Sequence, residues 1–315
     1  MLTTHTKKYT VDQIKSCLLG MAVGDALGVP FEFEERGTFL ATGYHCDQNQ
    51  GGIPPYSRWM GIPLGAWSDD TSMALASMDA VVDAKGQLNG DLMMQKFIQW
   101  WENGENCSIE GHPFGLGGCV SQAMSNYLAG IPIENCGGRK ESENGNGSLM
   151  RILPLAFCNF SDDEIRQASA VTHAHEQSTE ACVICVNIAR DLMKGVSFEA
   201  AVKASSERTN VEIYRTLYDE LFVTSDEVVS TGYVVDTLKT ALWCIHNTKS
   251  YRDAVLAAVN FGYDTDTVAC VVGGLAGIIY GIGGAYGIPQ SWIEATLRYQ
   301  YVEQKCQDFW TACNV

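Results

Sequence analysis

Residues 261–277 read Phe-Gly-Tyr-Asp-Thr-Asp-Thr-Val-Ala-Cys-Val-Val-Gly-Gly-Leu-Ala-Gly, and this stretch limits what the chain can become more than any other. Asp264 and Asp266 stand two positions apart, the Thr267 hydroxyl follows at once, and residues 268–280 carry no charge. A helix with no polar face is one enclosed on all sides. It is too short to cross a bilayer, which takes about 20 apolar residues. Acids at the mouth of a buried helix cost several kcal/mol each unless a cation or a proton relieves them. Two readings stand side by side. Carboxylate and hydroxyl oxygens suit a hard divalent cation, and Asp and Thr are also ordinary helix caps. An EF-hand is excluded, because the glycine at its sixth position and the Glu at its twelfth are missing.

A chain of 315 residues can bury a large core. Its net charge of −16 argues against nucleic-acid backbones and anionic membranes as partners. The first eight residues have no apolar segment behind their charges, so no signal peptide is expected. No stretch reads as long enough for a transmembrane helix, and a cytoplasmic location is the expectation. Twelve scattered cysteines in apolar helical contexts read as reduced core thiols. The lone CxxC of Cys182 and Cys185 reads the same way, ahead of zinc or redox use.

From the start, Thr10 and Gln13 form a capping box for a helix that turns Ile14, Leu18 and Met21 inward. That helix runs into residues 20–28, Gly-Met-Ala-Val-Gly-Asp-Ala-Leu-Gly, whose small residues let another backbone come close. Asp25 sits among them with no cation nearby in sequence, and Glu32 follows Pro30 in an extended or turning segment. Residues 43–66 are rich in Gly, Pro, Asn and aromatics and read as a long, functional loop. Ser68, Asp69 and Asp70 then open a helix with Met73, Leu75, Met78 and Val81 inside. Adjacent acids cannot both cap one helix, so one is left over for another task.

A further helix follows Asn89, with Met93, Phe97 and Trp100. The glycine-rich turns at 112–118 and 145–154 are each read as leading into a helix. Neither matches GxGxxG or the GKS/GKT phosphate loop, yet their N–H groups can cradle phosphate as well as make tight turns. Ser161 and Glu164 make another capping box, and Thr172-His-Ala-His introduces the CxxC helix. His173 and His175 are spaced for neither HExxH nor a zinc finger. Helical patterns continue over 198–205, 211–221, 231–246 and 251–260, with Gly195 as a stop. No segment shows strand alternation. The expectation is an all-α, compact multi-helix bundle in a single domain, 1–315, with its core at about 10–300 and no linker.

The same grammar therefore occurs twice: Ser68, Asp69, Asp70 and Asp264, Asp266, Thr267. If the two mouths meet, their oxygens suit two divalent cations roughly 3.5–4 Å apart. Without cations, like charges about 4 Å apart repel by about 4 kcal/mol at an effective dielectric near 20.

Five motifs occur in order: Gly-Asp-Ala-Leu-Gly (24–28), Trp-Ser-Asp-Asp-Thr (67–71), Gly-Asn-Gly-Ser-Leu-Met-Arg (145–151), Thr-His-Ala-His (172–175) and Asp-Thr-Asp-Thr (264–267). Together they resemble the ADP-ribosylglycohydrolase family, which includes the dinitrogenase reductase-activating glycohydrolases. The resemblance implies an all-α bundle with two Mg²⁺ or Mn²⁺ ions held by Ser68, Asp69, Asp70, Asp264, Asp266 and Thr267. It implies Glu32 as the catalytic acid or base, Gly145, Asn146, Gly147 and Ser148 as the diphosphate loop, and His173 on the substrate side. Asp25, Gly115 and Gly117 are placed with the substrate-binding residues. The implied partner is an ADP-ribosylated protein or a small ADP-ribose conjugate, and the implied reaction is hydrolysis of the bond at the ribose. Two departures stand out. Tyr263 replaces a common Gly, and Gly115 replaces an Asp of the arginine-directed members, which leaves the leaving group open. A non-catalytic ADP-ribose-binding member and a binuclear metal phosphoesterase are the alternatives.

Overall fold

The computed structural model describes residues 9–43, 59 and 61–313. Most of the 43–66 loop lies outside the described residues. Among those described there are thirteen α-helices and no strand, only isolated bridges. The first six helices are α1 (Val11–Gly28), α2 (Asp69–Asp83), α3 (Gly90–Asn103), α4 (Gly118–Leu128), α5 (Asp162–Ala170) and α6 (Glu176–Met193). The other seven are α7 (Phe198–Arg208), α8 (Leu217–Glu220), α9 (Val234–His246), α10 (Tyr251–Asn260), α11 (Thr265–Tyr280), α12 (Gln290–Ala295) and α13 (Tyr299–Cys313).

The fold is built on the antiparallel pair α1 and α11. α1 starts at its capping box, where Thr10 Oγ1 accepts from Gln13 N and Gln13 Oε1 accepts from Thr10 N. Glycines then recur every fourth residue, which puts them on one face of the helix. A Cβ on Gly24 would strike the Ala269 carbonyl, and one on Gly20 the Gly273 carbonyl. Without those atoms the two backbones touch. α11 is enclosed further by α9 and α10, and its residues 265–277 are all buried. α2 packs against α3 and α13.

Several expectations need correction. Val11–Phe31 forms a continuous apolar helical segment that is long enough to cross a membrane by length and composition. Of its apolar window, 89% is buried inside the protein, as befits a core helix. The 145–154 turn leads into a 3₁₀ helix, Leu153–Phe157, and not an α-helix. At and beyond its end, Arg190 donates to the carbonyls of Ala156, Cys158 and Phe160. The 211–221 pattern breaks into the 3₁₀ turn Glu212–Tyr214 and the single turn α8, pinned by the buried Tyr214, whose hydroxyl donates to Gln177 O. The eleven described cysteines are free; Cys182 and Cys185 are fully buried, and burial pushes both thiols up.

Candidate active site

The mouth of α2 answers the question of which residue caps it. Ser68 is the cap: its Oγ accepts from Asp70 N and donates to Asp70 Oδ2 at 2.8 Å. Asp69 and Asp70 are thereby both left over. Asp25 of α1 braces the same turn. Its Oδ1 accepts from Ser68 N at 2.8 Å, and its Oδ2 accepts from Thr71 N at 3.0 Å and Thr71 Oγ1 at 2.6 Å. At α11, Asp264 occupies the cap position but makes no side-chain cap bond. Its Oδ2 accepts instead from Asn146 Nδ2 at 2.9 Å, and Asn146 Nδ2 also donates to Thr237 Oγ1. Capping does not account for these acids.

The two mouths meet. Asp25, Asp70 and Asp266, from three different helices, each bring one carboxylate oxygen to within 4.8 Å of the others, and all three are buried. Burial is the first cause of the raised pKa values here. It holds Asp25 up at about 6, against the lowering effect of its hydrogen bonds. Asp69 and Asp70 are raised well above the usual carboxylate range by burial and then by neighbouring acids, and Asp266 by burial and then by Glu32 and the aspartates. Asp70 Oδ1 is buried with no hydrogen-bond partner. An orphaned anionic oxygen among hard oxygen donors fits a divalent cation of the Mg²⁺ or Mn²⁺ type.

Above the acids opens a cleft of about 820 Å³. Asp69, Asp70, Asp264, Asp266 and Thr267 line it, with Glu32 beside them. Trp59 Nε1 donates to Glu32 Oε2. Gly115, Gly117, Gly145, Asn146, Gly147 and His173 also line it. Gly115 has φ +93°, and a Cβ there would collide with the Asp69 carboxylate, so no side chain fits that conformation. Tyr263, with φ +59°, holds a left-handed turn in which it exchanges backbone hydrogen bonds with the 33–34 segment.

Three expected site residues stand off the cleft wall. Asp25 lies behind α2 with both oxygens engaged by protein donors. Ser68 turns its hydroxyl onto Asp70. Ser148 is fully buried, and its Oγ accepts from Ser169 Oγ and Cys182 Sγ. Sequence reasoning missed Trp59, Trp101 and Phe114 on the cleft wall, and Arg151 and Thr172 behind His173. The only signal for Trp59 was its place in a long aromatic loop.

A family model described as ADP-ribosylglycohydrolase matches residues 5–315. The chain belongs to the ADP-ribosylglycohydrolase family. It is 31% identical to an ADP-ribosylarginine hydrolase, Tri1, of Pseudomonas putida, over 97% of this chain and 80% of that protein. It is 28% identical to the ADP-ribosyl-[dinitrogen reductase] glycohydrolase of Rhodospirillum rubrum, over 90% and 89%. A solved ADP-ribosylglycohydrolase-related protein complex superposes with a TM-score of 0.79 at 26% identity, covering 98% of this chain and 99% of that one. The all-α class read from the sequence is thus the fold of the ADP-ribosylglycohydrolase family, and membership supports a hydrolase of ADP-ribose linkages.

Proposed function

We propose that this chain releases ADP-ribose from a modified protein side chain or a small conjugate by hydrolysing the glycosidic bond at the ribose. The observation that carries this reading is the meeting of buried acids from α1, α2 and α11 under a cleft whose rim is a glycine-rich turn. Asp69, Asp70, Asp264, Asp266 and Thr267 are the residues that would hold two Mg²⁺ or Mn²⁺ ions, with Ser68 and Asp25 setting the α2 mouth behind them. Such ions supply Lewis acidity toward ribose hydroxyls and water.

The protein's own groups do the rest. In the 145–147 turn the Asn146 N–H is given to Gly232 O, which leaves the N–H groups of Gly145 and Gly147, residues without side chains, to meet a diphosphate. Glu32 exchanges a proton at its carboxylate with the attacking water or the leaving atom. Asn146 fixes the Asp264 carboxylate from behind by its 2.9 Å hydrogen bond, which holds that oxygen in one orientation. The cleft walls of Trp59, Phe114 and Trp101 screen the ribose side from bulk water. Arginine is the first linkage to test, because the Pseudomonas putida relative is an ADP-ribosylarginine hydrolase.

The test is product analysis after incubation with arginine- and serine-linked ADP-ribosyl peptides in Mg²⁺, Mn²⁺ or chelator. Free ADP-ribose and unmodified peptide support the proposal. AMP with ribose phosphate on the peptide would assign a phosphoesterase instead, and intact peptide bound without turnover a non-catalytic binder.

A further inference from the structure

We propose that Arg151 and Thr172 are positioning residues that hold His173 in the tautomer whose proton is on Nε2, so that one N–H donor faces the cleft at the 145–147 turn. Each link follows from donor and acceptor chemistry. Arg151 can only donate. It is 1% exposed, its Nη1 donates to Gly147 O, and its guanidinium lies over the Phe97 ring at 4.8 Å, so it is fixed in place. Its Nη2 donates to Thr172 Oγ1 at 2.8 Å.

The Thr172 hydroxyl is fully buried and keeps one proton to give. Among the described residues, its other partner is His173 Nδ1, 2.8 Å away. Were Nδ1 protonated, Thr172 would accept twice and strand its own proton in the interior, at a desolvation cost. The hydroxyl therefore donates to Nδ1, and the ring proton sits on Nε2. Burial and the Arg151 charge also hold His173 down at about 3, so the ring is neutral at neutral pH and a single tautomer is meaningful.

The Nε2 edge lies against the glycine turn. A Cβ on Gly145 would come 3.4 Å from Nε2, and one on Gly147 would come 3.0 Å from Cε1. This inference rests on the ADP-ribose reading for its purpose: phosphate oxygens accept and do not donate, so an Nε2–H matches them and a bare lone pair repels them.

The experiment is long-range ¹H–¹⁵N correlation on protein labelled at histidine nitrogen, with the His173 signals assigned by their loss in His173→Gln. Wild type should show an unprotonated Nδ1 and a protonated Nε2. Thr172→Val should shift His173 toward the other tautomer and weaken ADP-ribose binding by calorimetry roughly 10- to 100-fold. Thr172→Ser should restore both. A protonated Nδ1 in the wild type overturns the proposal even if Thr172→Val fails to fold, and so does an unchanged tautomer in a folded Thr172→Val. The predicted tautomer without ADP-ribose binding in the wild type would leave the relay standing and sink the ADP-ribose reading instead.

Discussion

Gly28 and Asp266 touch through their backbones: a Cβ on Gly28 would stand 2.5 Å from the Asp266 amide nitrogen. The glycine at the end of α1 thus sets how near the acid of α11 comes to Asp25 and Asp70. Gly28→Ala forces that contact apart, and overpacking of this kind costs about 1–3 kcal/mol. The expected outcome is a lower melting temperature together with a weaker shift on adding Mn²⁺. A variant that melts lower but answers Mn²⁺ like the wild type would separate the helix contact from the site.

Asp70→Asn removes one of several like charges and leaves a group of nearly the same shape. In protein stripped of metal it should raise the melting temperature, since crowded carboxylates repel by up to about 4 kcal/mol per close pair. The same change should abolish the stabilisation by Mg²⁺ or Mn²⁺. Differential scanning calorimetry with chelator and with excess metal reads both effects.

What the sequence disclosed, and what it hid, follows from the range of the forces involved. The helices and their caps at Thr10, Ser161 and Asn89 are local, and hydrophobic period and cap chemistry report them. The two acidic mouths were legible for the same reason. Asp25 was read with the substrate-binding residues, because its bracing of Ser68 and Thr71 depends on α1 packing beside α2, a contact across more than 40 residues. The Arg151–Thr172 bond was hidden likewise: no local pattern says that a buried guanidinium reaches a hydroxyl 21 residues on. The bonds from Arg190 to the carbonyls of Cys158 and Phe160 were hidden for the same reason, since that side chain lies 30 or more residues further along the chain.

The metal-free protein should lose stability as pH rises. Asp25, Asp69, Asp70 and Asp266 have folded values above the ordinary one, so their contribution is fully present below about pH 4. It is lost as pH climbs through the raised values, about 6 for Asp25. For Asp25 alone the loss is on the order of 3 kcal/mol. His173 acts oppositely: its value is lowered, so its share is lost as pH falls below about 6.5. Four acids outweigh one histidine, and urea midpoints of chelated protein should fall between pH 5 and 8. A midpoint that rises over that interval would contradict the raised values.

Glu32→Gln keeps the shape of the side chain and removes its proton exchange. Turnover of an ADP-ribosyl-arginine peptide should drop by about 10²–10⁴. Mn²⁺ affinity, measured by calorimetry, should change little. Wild-type turnover in this variant would remove Glu32 from the reaction.

Acids from α2 and α11 hold cations in common on this reading, and isothermal titration of Mn²⁺ into fully chelated, dialysed protein tests that most directly. The predicted result is close to two equivalents bound per chain, with binding lost in Asp70→Asn. No heat beyond dilution, and a melting temperature indifferent to Mn²⁺ and Mg²⁺, would contradict it.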